Sequence, residues 1–289
     1  MRPIELLSLV KFGHSIFALP FALQGAWLAS GGVPAPAVLG WVVLCAVAAR
    51  TAAMAFNRLV DRDTDARNPR TREREIPSGR VSPAAAAALV MASGAVFVAA
   101  AHALNPLCGR LSPPVLALLL GYSLTKRVSF LAHGVLGLSL AIAPLGAWLA
   151  VRGEFGGDLA PVLWLAGGVL AWVAGFDLIY ACQDASFDRS ARLHSIPARF
   201  GVARALSLSS ALHVLALSCF VMQGVSGELG VSWWAGLSAA AALLVWEHRI
   251  VSPADLSRVN TAFFTINGWI GVGLFAGLAL DLALGAGGS

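Results

Sequence analysis

Charge is scarce in this chain. Asp, Glu, Lys and Arg make up 12% of its 289 residues, about half the share of an ordinary soluble domain. Mean hydropathy is +0.76, so an ordinary water-soluble domain is excluded and an integral membrane protein is expected. Lysine is nearly absent, with only Lys11 and Lys126, and tyrosine is limited to Tyr122 and Tyr180. Cysteine is sparse too. Cys45, Cys108, Cys182 and Cys219 are scattered through apolar runs with no CxxC pair. That spacing favours small buried hydrophobes over disulfide or metal roles. The N-terminus, MRPIELLSLVKFGHSIFALPFAL, has a basic start and an apolar stretch but no small-x-small cleavage site, so a retained first span is expected. No coiled coil or low-complexity tail is present.

Long apolar runs are what the chain has in abundance. A bilayer core needs about 20 apolar residues per helix. Nine segments meet the pattern, near 13–31, 36–56, 84–104, 113–130, 133–151, 161–183, 203–223, 230–247 and 262–284. Turn residues separate them, as in GGVPAP at 31–36 and NPLCGR at 105–110. The expected fold is an all-α polytopic bundle of about nine transmembrane helices, a single domain over 1–289.

The basic residues test this count. With the N-terminus inside, the inner side holds Arg2 and Lys11, seven arginines between segments two and three, Lys126 and Arg127, four arginines between segments six and seven, and Arg249 and Arg258. Only Arg110 and Arg152 fall outside, and Arg50 lies within the second span. This asymmetry follows the positive-inside rule and places the N-terminus in the cytoplasm. The formal charge of +5 therefore describes one membrane face, suited to anionic lipids or an anionic substrate, and not a nucleic-acid surface.

Two polar stretches interrupt the greasy pattern. NRLVDRDTD puts Asn57, Asp61 and Asp65 four residues apart, and DLIYACQDASFD puts Asp177, Asp184 and Asp188 at seven- and four-residue spacing. On a helix these spacings share one face. Carboxylates in a span cost about 2.5–3.5 kcal/mol each at the helix centre and less at its end, where a solvated terminus explains any single one. Two such ladders ask for more. Both lie at the same-side ends of even-numbered segments, and each is followed by arginines and Ile-Pro: NPRTREREIPSGR and RSARLHSIPARFG. The pattern reads as two pseudo-repeated halves, about 1–130 and 131–289. Facing carboxylates suit Mg²⁺, which is held by one or two carboxylates plus waters and substrate phosphates. A diphosphate between the ladders supplies those oxygens, the arginines neutralise it, and a bilayer site implies a lipid tail on the substrate.

NRLVDRDTD with NPRTRER downstream, then YACQDASFD, resembles the UbiA family of membrane prenyltransferases. The resemblance runs from about residue 10 to about residue 275 and includes KFGHSIFALPFAL, YSLTKR and FFTINGWIGVGLF. It is most similar to the 4-hydroxybenzoate polyprenyltransferases and to the MqnP-like enzymes of menaquinone synthesis. The resemblance implies that Mg²⁺ bridges Asp61, Asp65, Asp184 and Asp188 to the diphosphate of a polyprenyl donor. The allylic C–O bond breaks, and a ring carbon ortho to a phenol attacks. Asn57 then orients a diphosphate oxygen or metal-bound water.

Further residues fit this site. Arg50 lies seven residues before Asn57, two turns away on the same face, and an arginine that deep in a span is a functional-site candidate. The resemblance suggests that it faces the acceptor. Tyr122 and Lys126 are four apart, and Lys126 either binds diphosphate or snorkels to the interface. Tyr180, between Asp177 and Asp184, either hydrogen-bonds in the site or anchors the helix end. Arg70 and Arg74 match the family's RTxxR pattern and are expected at the diphosphate. His14 and His133 are weaker candidates. His102, His194, His213 and His248 show no ligand spacing.

A transporter is the rival class, since intramembrane charges and two halves suit transport too. Against it, the acids cluster at one face and not at the midplane, although Arg50 keeps the option alive. The DGxxAR…GxxxD pattern of CDP-alcohol phosphotransferases is absent. Within prenyl transfer, 4-hydroxybenzoate and 1,4-dihydroxy-6-naphthoate both carry a carboxylate for Arg50, so sequence leaves the acceptor, the tail length and the oligomeric state open.

Overall fold

The computed structural model describes residues 8–9 and 17–286. Among these there is no strand, and one isolated bridge joins Ser252 and Asp255. Helices α1 (Leu19–Ser30), α2 (Pro36–Val60), α3 (Arg62–Arg67), α4 (Pro83–Leu104), α5 (Pro106–Thr125) and α6 (Ala132–Arg152) come first. Then follow α7 (Ala160–Ala181), α8 (Ala185–Ser190), α9 (Ile196–Phe200), α10 (Val202–Ser226), α11 (Val231–Ile250) and α12 (Asn267–Ala286). A 3₁₀ turn, Cys182–Asp184, joins α7 to α8, and a π-helical turn, Thr261–Ile266, leads into α12.

The long helices stand where apolar segments are expected. Among the described residues, seven are long and apolar enough to cross a membrane: α2, α4, α5, α6, α7 with its continuation to Ser190, α10, and Thr261–Gly285. The other two expected spans are α1, which runs for 12 residues, and α11, whose last turn carries His248 and Arg249. His14, Arg2 and Lys11 lie outside the described residues. Proline opens α1, α2, α4, α5 and α7, where its missing N–H costs nothing.

One boundary differs from expectation. The fourth span is expected at 113–130, but α5 begins at Pro106 and ends at Thr125. NPLCGR is therefore a helix start and not a turn. Asn105 caps it by accepting from the Cys108 N–H at 2.8 Å. Pro113 removes the N–H that the Gly109 carbonyl would receive, and the Ser112 hydroxyl replaces it at 2.8 Å.

Close approach organises the bundle. A Cβ added at Gly25 would meet the Pro144 carbonyl oxygen at 2.1 Å, and one at Gly137 would meet that of Leu170 at 2.4 Å. These glycines let the backbones of α1 and α7 press against α6, as membrane helices do at small residues. Helix α7 is the spine, packed on both α6 and α10, whereas α2 packs mainly on α4. The core is aromatic. Trp172 meets Phe176 at 4.8 Å between ring centroids, Phe176 meets Phe263 at 5.2 Å, and Phe263 meets Tyr180 at 4.3 Å. Phe263 sits on the π turn, which Asn267 pins. Its amide nitrogen donates to the Ala262 carbonyl at 2.9 Å and to Glu247 at 2.8 Å, and its oxygen accepts from the Trp172 indole at 2.7 Å.

Candidate active site

The first acidic stretch keeps its ladder. Helix α2 has 25 residues, a length of about 38 Å at 1.5 Å per residue. It therefore outruns a hydrocarbon core of about 30 Å and carries its end toward the head groups. The chain stays helical through the acids: the Asp61 N–H donates to the Asn57 carbonyl at 3.0 Å, and the Asp65 N–H to the Asp61 carbonyl at 2.7 Å. The side chains follow, with Asn57 Nδ2 donating to Asp61 Oδ2 at 3.2 Å and also reaching Ser123 Oγ at 3.4 Å. Asp61 and Asp65 are buried, at 1% and 5% exposure.

The second stretch does not form one continuous ladder, which corrects the expectation for Asp177, Asp184 and Asp188. The α-helix stops at Ala181, and Cys182–Asp184 tightens into a 3₁₀ turn. That turn advances about 120° per residue in place of 100°, so three residues add roughly 60° of rotation. Asp177 instead lies 2.7 Å from His133 Nδ1 on α6.

Thirteen of the fourteen sequence-named candidates line one charged cavity of about 300 Å³: Arg50, Asn57, Asp61, Asp65, Arg70, Arg74, Tyr122, Lys126, His133, Asp177, Tyr180, Asp184 and Asp188. Cations from other elements hold the carboxylates. Lys126 Nζ is 2.6 Å from Asp61 Oδ2, and Arg127 Nη2 is 3.2 Å from Asp61 Oδ1. Arg74 Nη1 donates to both oxygens of Asp65, at 2.8 and 2.9 Å. Arg70 makes a two-pronged contact with Asp184, its Nε at 2.8 Å, and its Nη1 donates to the Tyr180 hydroxyl at 2.9 Å. Burial works against the Arg70 charge, but the hydrogen bonds to Asp184 and Tyr180 outweigh it and raise its pKa above the ordinary arginine value.

Five residues of the site are not singled out by sequence spacing. Arg58, 4% exposed, lies in the last turn of α2 and not in a loop, and it lines the cavity. Its position eight after Arg50 and seven before Asp65 is the signal, since both intervals return to the same face. Asn68 donates to Asp184 Oδ1 at 3.0 Å from the bend after α3. Arg127, Ser123 and His194 enter only through packing of the α5 end and the loop before α9.

A second cavity of about 560 Å³ adjoins the first and is almost wholly apolar. Arg50, Met54, Tyr122, Leu136 and Leu140 line both, so they form the shared wall. Its other walls are mainly apolar and mix small side chains, such as Ala46 and Ala49 on α2 and Gly146 on α6, with large ones, such as Phe97 on α4, Leu118 on α5 and Leu145 on α6.

The charged cavity can be tested for Mg²⁺. Among the described residues, no group of three His, Cys, Asp or Glu side chains comes together to hold a metal ion. The lining carries five cationic side chains, Arg50, Arg58, Arg70, Arg74 and Lys126, against five carboxylates, Asp61, Asp65, Asp177, Asp184 and Asp188. With Arg127 on Asp61 as well, the cations exceed the carboxylates by one, short of the charge a diphosphate carries. Paired carboxylates that lack a complete cage, plus a polyanion that needs neutralising, match how Mg²⁺ binds with substrate phosphates.

A charged pocket opens beside an apolar chamber within a bundle of membrane-length helices. The comparisons make the class specific. The UbiA prenyltransferase family pattern matches residues 18–269, and the chain belongs to that family. With its apolar helices, it is an integral membrane protein. It is 35% identical to a 4-hydroxybenzoate octaprenyltransferase of Ectopseudomonas mendocina (strain ymp), over 97% of this chain and 93% of that one. It is 33% identical to the enzyme of the same name from Nitrosospira multiformis (strain ATCC 25196 / NCIMB 11849 / C 71), over 90% and 88%. Among solved structures it is similar to a UbiA homolog from Aeropyrum pernix K1, at TM-score 0.84 and 36% identity, covering 93% of this chain and 98% of that one. A UbiA homolog from Archaeoglobus fulgidus bound to DMAPP and Mg²⁺ matches at TM-score 0.65 and 18% identity, covering 93% and 99%, and attests to the shared fold.

Proposed function

We propose that this chain transfers a polyprenyl group from a polyprenyl diphosphate to 4-hydroxybenzoate in quinone biosynthesis, with Mg²⁺ as cofactor. The observation that carries this reading is the junction of the two cavities: a pocket rich in paired charges shares the wall Arg50–Met54–Tyr122–Leu136–Leu140 with an apolar chamber. A diphosphate fits the first and an isoprenoid tail the second. The names of the relatives favour 4-hydroxybenzoate over 1,4-dihydroxy-6-naphthoate, and an enzyme over a transporter.

In the mechanism, Asp61, Asp65, Asp184 and Asp188 would hold Mg²⁺ together with diphosphate oxygens, and the metal would stabilise the leaving group's charge. Arg70, Arg74 and Lys126 already lie against these carboxylates. They turn to the diphosphate as it enters, each offering charge-assisted hydrogen bonds. Asn57, fixed on Asp61, orients a diphosphate oxygen. Arg50, on the shared wall, meets the acceptor's carboxylate, which puts the aromatic ring beside the first carbon of the tail. Tyr122 and the aromatic rings of Phe176, Tyr180 and Phe263 keep water from the allylic cation.

By the positive-inside pattern the acidic ends face the cytoplasm, in a bacterial inner membrane. The whole chain acts as one domain, each half supplying one acidic helix end. The test is an acceptor panel on purified membranes with labelled polyprenyl diphosphate and mass-spectrometric product detection. Prenylated 4-hydroxybenzoate is expected; product from the naphthoate alone would reassign the acceptor, and no product from any phenolic acid would overturn the reading.

A further inference from the structure

We propose that His133 is the general base of the transfer and that Asp177 orients it. The inference rests on the phenolic acceptor assigned above. The ring carbon attacks more readily as the phenol gives up its hydroxyl proton, and the cavity must offer a group to receive that proton. His133 stands at the second position of α6, 6% exposed, and lines the charged cavity near the shared wall formed by Leu136 and Leu140 one and two turns along the same helix. Its Nδ1 lies 2.7 Å from Asp177 Oδ2. A carboxylate only accepts, so Nδ1 carries the proton and donates it. The lone pair is then on Nε2, which is buried and has no hydrogen-bond partner among the described residues. A buried imidazole nitrogen left without a partner is costly, unless a ligand's hydroxyl completes it. Carboxylate, oriented imidazole and an open lone pair at a reaction cavity form the arrangement of a general base.

The other candidates in the cavity are set apart by their partners or by the role proposed above. Asp61, Asp65 and Asp184 are each engaged by cations, and Asp188 is the carboxylate that would share Mg²⁺ with them. His194 also has a buried ring nitrogen without a partner, Nδ1, but no carboxylate among the described residues orients its ring, which meets Phe130 edge-on with centroids 5.1 Å apart. Away from the cavity, His213 and His248 bond to each other at 2.8 Å.

The allylic C–O bond breaks and its electron pair leaves with the diphosphate. The acceptor's ortho carbon forms the new C–C bond, while its hydroxyl proton passes to His133 Nε2. This gives a neutral dienone and an imidazolium whose charge Asp177 offsets. The ring C–H proton then passes to an oxygen of the released diphosphate, its bonding pair restoring the aromatic ring, and the imidazolium returns its proton to the phenolic oxygen.

The test uses full-length chain in membranes with variants His133→Ala and Asp177→Asn. His133→Ala is expected to lower kcat for 4-hydroxybenzoate by about 10²-fold or more, with binding of a non-reacting polyprenyl thiolodiphosphate unchanged. Added imidazole is expected to restore part of the rate. A fluorinated 4-hydroxybenzoate, whose phenol ionises more readily, is expected to narrow the gap to wild type. Asp177→Asn is expected to act in the same direction but less severely. Wild-type kcat in His133→Ala would overturn the base while leaving the substrate assignment intact. So would a loss that neither imidazole nor the acidic phenol relieves. Absence of transfer by the wild-type chain to any phenolic acid would overturn both.

Discussion

The two acid-bearing helices, α2 and α7, carry similar sequence motifs in unlike surroundings. In the most apolar window of each, 72% of the residues are buried for α7 with its continuation, against 28% for α2. Helix α7 is the spine of the bundle, held by glycine contacts and by Trp172, whereas α2 borders lipid on one side and both cavities on the other. The acids differ accordingly. Asn57, Asp61 and Asp65 keep the helical period and gather cations from α5 and the following loop. Asp184 is reached through a 3₁₀ turn, and Asp177 is diverted to a histidine. Spacings that share a helix face in sequence therefore do not give equal geometry: what a carboxylate faces depends on the helix packed against it.

The first way to break the comparison is to remove what both motifs are proposed to share. Exhaustive chelation is expected to stop transfer by membranes, with Mg²⁺ restoring it; turnover that survives chelation would sink the metal reading. Next, Asp61→Ala and Asp184→Ala are each expected to cut kcat about 10²-fold or more, with the protein still folded in membranes. A large loss from one and none from the other would make the clamp one-sided.

Packing separates the helices more sharply. Gly137→Leu drives a side chain into the Leu170 backbone on α7, whereas a side chain at Gly40 on α2 meets nothing within 4 Å. Thermal unfolding in detergent should show a cost of about 1–3 kcal/mol or more for the first, and close to none for the second. Comparable Tm values would contradict α7 as the spine. Arg50→Ala is expected to raise acceptor KM about 10-fold, the loss of one charge-assisted contact, with donor binding largely kept; a selective donor defect would reassign Arg50. The smallest effect is expected for Tyr180→Phe. It loses the hydroxyl that accepts from Arg70 but keeps the ring against Phe263, so kcat should fall only a few-fold.

Much of this was legible in the residues. Transfer of apolar side chains from water to lipid is a local property, so the apolar spans could be placed from composition and length alone. Helical period is local too, so Asn57, Asp61 and Asp65, or Arg50 and Asn57, could be put on one face by counting. Tertiary structure decided the rest, because it depends on which helices touch. Packing of α6 against α7 brought His133 to Asp177, and the loop after α3 brought Asn68 and Arg70 to Asp184. The α5 end brought Lys126 and Arg127 to Asp61, and local capping by Asn105 and Ser112 moved α5 seven residues ahead of its expected start. A spacing along one helix fixes direction about that axis; the partner across a gap is set by contacts between residues far apart in the chain, which no local period encodes.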